Sequence, residues 1–145
     1  MLYVVHHAEA VDGLIDPQRP LSAAGRQHAE DLAAHARDRS IKPQAVWHSG
    51  KLRARQTAEP FWRLCNPLAE FAAVHGLQPG DPPEWIKAAV ELDARDILLV
   101  GHMPHLSRLL NLLIHGTSDG PSEFPPHGLV ALERLDDGWV ERWRE

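Results

Sequence analysis

Residues 1–10 read MLYVVHHAEA, an apolar run that stops at two adjacent histidines, His6 and His7. A short apolar run rich in valine and bounded by polar residues predicts a buried strand. The chain leaving the carboxyl end of such a strand delivers side chains to the crevice of an open α/β sheet. A second apolar run, residues 97–100, leads in the same way into His102. The sequence therefore predicts an α/β fold with histidines where α/β proteins bind ligands.

Length and composition favour one globular domain over residues 1–145 in the cytoplasm. The single cysteine, Cys65, excludes an intramolecular disulfide. No signal peptide is apparent, and no apolar run approaches the length of a membrane span. The formal charge of −5, from 20 acidic and 15 basic residues, argues against a nucleic-acid binder. We expect neither membrane nor nucleic-acid partners, and oligomeric state is left open.

The remaining chain alternates between predicted strands and helices. Ser22 is a candidate N-cap for an alanine-rich helix that runs to about residue 39. Two alternating segments around residues 136–138 predict a carboxyl-terminal hairpin. Residues 117–126 are rich in glycine, serine and proline and predict an exposed loop. The other predicted elements are strands at 45–48, 68–74 and 97–100, and helices from 51 to about 65, at 84–92 and from about 104 to 115.

Three polar side chains follow predicted strands, and a fourth lies in the first loop. His7, Arg53 and His102 each come just after a strand, and Arg19 lies between the first strand and the first helix. If those strands are parallel, the four side chains meet at one edge of the sheet. An imidazole can attack phosphorus while arginines hold the phosphoryl oxygens. This arrangement predicts phosphoryl transfer without a metal.

Four blocks carry a resemblance to a known family: HAEA at 7–10, RPLSAAG at 19–25, SGKLRARQTA at 49–58 and VGHMP at 100–104. Together and in this order they resemble the histidine phosphatase superfamily (phosphoglycerate mutase-like), and more narrowly its SixA-type phosphohistidine phosphatases. The resemblance implies a three-layer α/β/α sandwich around a mostly parallel mixed sheet. It also implies a phosphohistidine-bearing signalling or phosphotransfer protein as substrate, and no cofactor.

The resemblance also implies roles for individual residues. His7 would be the nucleophile that becomes phosphorylated. Arg53 and His102 would complete the catalytic set and bind the phosphoryl group, with Arg19 lining the same pocket. The family begins its signature with Arg-His, whereas this chain has His6-His7. His6 would therefore be the weaker phosphate contact, because imidazole cannot form the two-pronged contact of arginine.

Loss of a charge-assisted contact in a catalytic site costs roughly 3 kcal/mol, on the order of a hundredfold in rate. The sequence therefore predicts a weak or inactive phosphatase, unless a cation such as Arg19 compensates. Residues 76–81 offer no glutamate at their start to act as general acid, and Asp81 is a weak candidate. A departing imidazole, with a pKa of about 6.5, needs little help from an acid. The missing acid thus favours an N–P substrate over alkyl phosphates.

Three alternatives remain at this point. The protein could be a non-catalytic binder of phosphate or phosphoproteins, or a phosphatase of small phosphorylated substrates. It could also bind zinc or nickel through His6, His7, His102 and His105, although adjacent residues leaving a strand are expected to point to opposite faces. His105 and His127 are expected at the rim or surface and are not counted as catalytic.

Overall fold

A computed structural model describes residues 1–145, which form ten regular elements. The strands are β1 (Leu2–His6), β2 (Ala45–His48), β3 (Glu70–Ala73), β4 (Ile97–Gly101), β5 (Leu129–Leu135) and β6 (Gly138–Arg144). The helices are α1 (Ala23–Asp38), α2 (Leu52–Cys65), α3 (Pro83–Glu91) and α4 (His105–His115). None of the helices combines the length and the apolar character needed to cross a membrane.

The six strands form one mixed sheet in the order β3-β2-β4-β1-β5-β6. The pairs β1–β4, β2–β4 and β2–β3 are parallel, whereas β1–β5 and β5–β6 are antiparallel. The predicted carboxyl-terminal hairpin is therefore confirmed, and it continues the sheet beside β1. The carboxyl ends of β1, β2 and β4 lie at the same edge, as the α/β prediction requires.

Alternation along the strands divides the core between the two faces of the sheet. Leu2, Val4 and Leu99 pack on one face against apolar side chains of α3 and α4. Tyr3 and Val5, with their neighbours in β2 and β4, pack on the other face against α1 and α2. Both faces of a mostly parallel sheet are thus covered by helices. The predicted three-layer α/β/α architecture is confirmed.

Local sequence signals explain where the helices begin and end. Ser22 caps α1, as predicted, because its side-chain oxygen accepts a hydrogen bond from the backbone N–H of Gly25 at 3.0 Å. Gly116 ends α4 in the left-handed conformation (φ 76°), where a residue without a Cβ is favoured. Helix α2 begins at Leu52, so Arg53 lies in its first turn, as predicted.

Candidate active site

The carboxyl end of β1 places two imidazoles side by side. The ring centroids of His6 and His7 lie 4.7 Å apart. The expectation that these rings point to opposite faces is wrong, because β1 ends at His6 and the alternation of a regular strand does not continue to His7. Both rings are therefore available at the same edge of the sheet.

The orientation of the His7 ring is set by the backbone of the next residue, Ala8. Its Nδ1 lies 2.7 Å from the carbonyl oxygen of Ala8. A carbonyl only accepts hydrogen bonds, so Nδ1 carries the proton and Nε2 keeps a free lone pair. Burial, opposed by this hydrogen bond and reinforced by the charge of Arg53, lowers the pKa of His7 to about 4. A buried, neutral imidazole with an unprotonated Nε2 has the state that a nucleophile needs.

The peptide that follows His7 is anchored to helix α2. The Thr57 hydroxyl accepts a hydrogen bond from the backbone N–H of Ala8 at 3.0 Å and donates one to the carbonyl of Arg53 at 2.8 Å. Ala8 and Thr57 are both about 1% exposed. This side chain thus joins the loop after β1 to the first turn of α2. No local pattern in the sequence indicates this contact, because it joins residues 49 positions apart.

Strand β4 brings His102 to the same place. Its ring centroid lies 5.0 Å from that of His7, and the residue is 1% exposed. Its Nε2 lies 2.6 Å from the Ser49 hydroxyl, which also accepts the backbone N–H of Lys51 at 3.3 Å. Burial, followed by the neighbouring His7 and Arg53, lowers the pKa of His102 to about 3. The predicted approach of His7 and His102 is therefore observed, and Ser49 is a contact that sequence analysis overlooked.

Arg53 and Arg19 supply positive charge around His7, and the charge of Lys51 acts on His102. The charges of Arg53 and Arg19 both lower the pKa of His7. Burial and the charge of Arg19 lower the pKa of Arg53. The Nε of Arg53 is buried without a hydrogen-bond partner, while the Nε of Arg19 donates to the carbonyl of Val11 at 3.2 Å. Two cations beside neutral imidazoles make the region suited to an anion.

His6 does not add to this charge. Its pKa is lowered to about 3, mainly by burial and then by His7 and His127. The ring is therefore neutral at neutral pH, so the missing arginine is not replaced by an imidazolium. Its Nδ1 accepts a hydrogen bond from the backbone N–H of His127 at 2.8 Å, which leaves the proton on Nε2. His6 can contact a phosphoryl oxygen only as a neutral donor.

His127 belongs to this cluster, and its half-buried position agrees with the expected rim of the site. Its ring stacks on His6 with centroids 4.6 Å apart, and its Nδ1 lies 2.6 Å from the carbonyl oxygen of His7. The reason is the antiparallel pairing of β5 with β1, which sets Leu129 opposite Val5 and brings the residues before β5 to the end of β1. His127 holds a left-handed backbone (φ 51°), which is uncommon for residues other than glycine.

The other residues singled out from the sequence, His105 and Asp81, make no hydrogen bond with His7. His105 is completely buried in the first turn of α4, so its expected rim position is wrong. The Asp81 carboxylate accepts the backbone N–H of Gln78 at 2.9 Å within its own loop. The side-chain amide of Gln78 donates to the carbonyl of Ser49 at 2.7 Å, which ties that loop to the site.

Comparison with known proteins identifies the region over which the chain resembles others. Residues 3–78 match the model of the histidine phosphatase superfamily (branch 1). No curated protein matches the chain. A structure of the protein histidine phosphatase SixA complexed with tungstate is 21% identical, with a TM-score of 0.85 over 99% of this chain and 94% of that one.

Two further structures are similar over almost the whole chain. A protein assigned as phosphohistidine phosphatase SixA from Agrobacterium tumefaciens is 26% identical, with a TM-score of 0.80 over 99% of this chain and 96% of that one. The α-ribazole phosphatase from Shigella flexneri is 17% identical, with a TM-score of 0.78 over 97% of this chain and 94% of that one. The same fold thus occurs in proteins named as phosphohistidine phosphatases and in one named for a small-molecule substrate.

Proposed function

Because the chain belongs to the histidine phosphatase superfamily, we propose that it is a phosphatase acting on phosphohistidine in a signalling or phosphotransfer protein. One observation carries the proposal. The Nδ1–H of His7 is donated to the Ala8 carbonyl at 2.7 Å, so its Nε2 lone pair is free, and the charges of Arg53 and Arg19 act on the same ring. Likeness to proteins named SixA, one of them complexed with tungstate, an oxyanion, supports the same choice of substrate.

In the proposed reaction, His7 Nε2 attacks phosphorus and the N–P bond of the substrate phosphohistidine breaks. The substrate ring, protonated on its other nitrogen, departs as neutral imidazole and keeps the electron pair of that bond. Water then attacks the phosphorus on His7, the new N–P bond breaks, and inorganic phosphate leaves with His7 restored. Arg53, His102 and Arg19 hold the phosphoryl oxygens through both steps, and this electrostatic stabilisation supplies most of the catalysis.

The lack of a positioned acid supports an N–P substrate. Residues 76–81 contain no glutamate, and the Asp81 carboxylate accepts the backbone N–H of Gln78 within its own loop. An alkoxide leaving group is far more basic than imidazole, whose pKa is about 6.5, and its departure calls for a proton donor. A phosphoramidate is therefore the substrate class best matched to this set of residues. We place the reaction in the cytoplasm, where a single free cysteine stays reduced.

His6 supports an alternative proposal, a phosphoprotein binder without turnover. Its neutral ring leaves the site without the additional cation that an arginine would provide. The cost of roughly 3 kcal/mol, on the order of a hundredfold in rate, falls on the transition state and leaves binding less affected. An attenuated phosphatase and a phosphoprotein binder therefore differ only in their rate of hydrolysis, and measuring that rate separates them.

The deciding experiment measures hydrolysis of a phosphohistidine-bearing protein and of an aryl phosphate by wild type, His7→Ala and His6→Arg. We expect His7→Ala to lose all activity and His6→Arg to gain activity on both substrates. Phosphohistidine should be preferred by wild type. Thermal unfolding is measured in parallel, because His6→Arg also removes the acceptor for the His127 N–H.

Two results would decide against the enzyme. If His7→Ala hydrolyses either substrate as fast as wild type, His7 is not the nucleophile. If all three proteins are inert but wild type binds phosphate, the binder is the better description. Faster turnover of the aryl phosphate than of phosphohistidine by wild type would favour a phosphatase of small substrates, the class named in the α-ribazole phosphatase structure.

A further inference from the structure

Three imidazoles at the end of β1 are close enough to share one metal ion. One ring nitrogen from each of His6, His7 and His127 lies within 4.8 Å of the other two. Zinc binds imidazole nitrogen at about 2.0–2.1 Å, so two ligands of one tetrahedral ion lie about 3.3 Å apart. The ring centroids of His7 and His127 lie 6.0 Å apart, so these two rings would have to move toward each other to share an ion. The set differs from the one considered from the sequence, because His127 takes the place of His102 and His105.

The three rings fall into two tautomers, according to which ring nitrogen carries the proton. His7 and His127 each hold Nδ1 within 2.7 Å of a backbone carbonyl oxygen, of Ala8 and of His7 respectively. Both therefore carry the proton on Nδ1 and present a free lone pair on Nε2. Histidines that bind metals are held in this way, with the second ring N–H donated to a carbonyl or carboxylate. The backbone thus prepares two nitrogen ligands before any ion arrives.

His6 is held in the other tautomer. Its Nδ1 accepts the backbone N–H of His127, so its proton lies on Nε2, and it could bind an ion only after its ring turned. The positive charges of Arg53 and Arg19 nearby disfavour a dication. The site is therefore open and weak, with water completing the coordination. Such a site suits an ion that exchanges and does not suit a structural metal.

We propose that Zn²⁺ binds between Nε2 of His7 and Nε2 of His127 and inhibits the protein by occupying its nucleophile. Imidazole is a good ligand for zinc, and a bound ion would use the lone pair that attack on phosphorus requires. Zinc would here be an inhibitor and not a cofactor. Binding stands on the geometry alone, whereas inhibition rests on the proposed phosphatase function.

The test is equilibrium dialysis against Zn²⁺ with wild type, His127→Asn and His75→Gln. Asparagine tolerates the left-handed backbone at this position, and its amide can replace the Nδ1 donor to His7 while offering no Nε2. His75 is exposed and lies outside the cluster, so His75→Gln is the matched control. We expect one Zn²⁺ per wild-type chain, an affinity at least about tenfold weaker in His127→Asn, and no change in His75→Gln.

A second measurement uses wild type alone and so does not depend on a variant folding. Zn²⁺ should shift the ring nitrogen signals of His7 and His127 in an NMR titration and leave those of His75 in place. Zn²⁺ should also inhibit hydrolysis, a chelator should restore it, and His127→Asn should need at least about tenfold more Zn²⁺ for the same inhibition.

Several outcomes would overturn the proposal. Equal Zn²⁺ affinity in wild type and His127→Asn, or ring shifts confined to other histidines, would place the ion elsewhere. Binding at His7 and His127 without inhibition of an active enzyme would remove the inhibitory role. If the protein hydrolyses nothing, the dialysis and NMR results still decide whether the metal site exists, so failure of the proposed function is distinguished from failure of this inference.

Discussion

Replacing Thr57 by valine should destabilise the protein and disturb its nucleophile at the same time. The hydroxyl of Thr57 is the acceptor for the backbone N–H of Ala8, at 3.0 Å, in a region where both residues are about 1% exposed. Valine keeps the shape and the β-branching of threonine but provides no acceptor. The Ala8 N–H would then be buried without a partner.

The size of the effect follows from that orphaned donor. An unsatisfied buried N–H costs about 1–3 kcal/mol, whereas the Arg53 carbonyl that loses the hydroxyl lies within α2 and loses less. For a chain of 145 residues this corresponds to a fall in Tm of about 3 to 10 °C. The Ala8 carbonyl orients His7, so movement of this peptide should also reduce kcat by about tenfold, as small misplacements of reacting groups do.

Calorimetry and steady-state hydrolysis of an aryl phosphate measure the two effects. Thr57→Ser keeps the hydroxyl and loses only a methyl group, so it is the matched control and should retain most of its kcat. The reasoning is refuted if Thr57→Val unfolds at the wild-type temperature. It is also refuted if Thr57→Ser loses as much kcat as Thr57→Val, because the hydroxyl would then have no special role.

Three further predictions concern neighbouring positions. Gly25→Ala should lower the free energy of unfolding by about 1–3 kcal/mol or more, because its Cβ would lie 2.0 Å from the Glu9 backbone oxygen. A variant that unfolds in urea at the same midpoint as wild type would contradict this clash. Ser49→Ala removes the hydrogen-bond partner of His102 Nε2 and should lower kcat/KM about tenfold. Ser49→Thr keeps a hydroxyl and should recover part of that loss. If Ser49→Ala leaves both the rate and the pH–rate profile unchanged, Ser49 does not position His102. The folded-state pKa of His7, about 4, lies below its unfolded value of about 6.5. The contribution of His7 to the free energy of unfolding is therefore fully present above pH 6.5 and is lost as pH falls toward 4. Urea unfolding midpoints at pH 7.5 and 5 that do not differ would contradict this prediction.

The fold was largely predictable because its signals are local. The apolar run of β1, the Ser22 cap and the Gly116 stop each depend on a few adjacent residues, and each is observed. The convergence of His7 and His102 followed from one further rule, that parallel strands present their carboxyl ends at the same edge. Local pattern and one topological rule were enough for that part of the site.

The rest of the site depends on contacts between distant residues. His127 lies 120 positions from His7, and only the antiparallel register of β5 on β1 brings them together. The predicted hairpin contained no information about its neighbour in the sheet. His105 was misplaced for a related reason, because its burial depends on what α4 packs against. The lowered pKa of His6 likewise reflects burial among residues of separate segments.

His6 links these long-range contacts to the chemistry. Its Nδ1 receives the His127 N–H and its ring stacks on that of His127, so residue 6 helps to hold the loop before β5. An arginine at this position could donate to a phosphate but could not accept that N–H. The imidazole therefore exchanges a phosphate-binding cation for a structural contact with His127. The contact between His6 and His127 also holds the histidine cluster together. Introducing arginine at residue 6 should therefore strengthen phosphate binding and loosen the loop that carries His127.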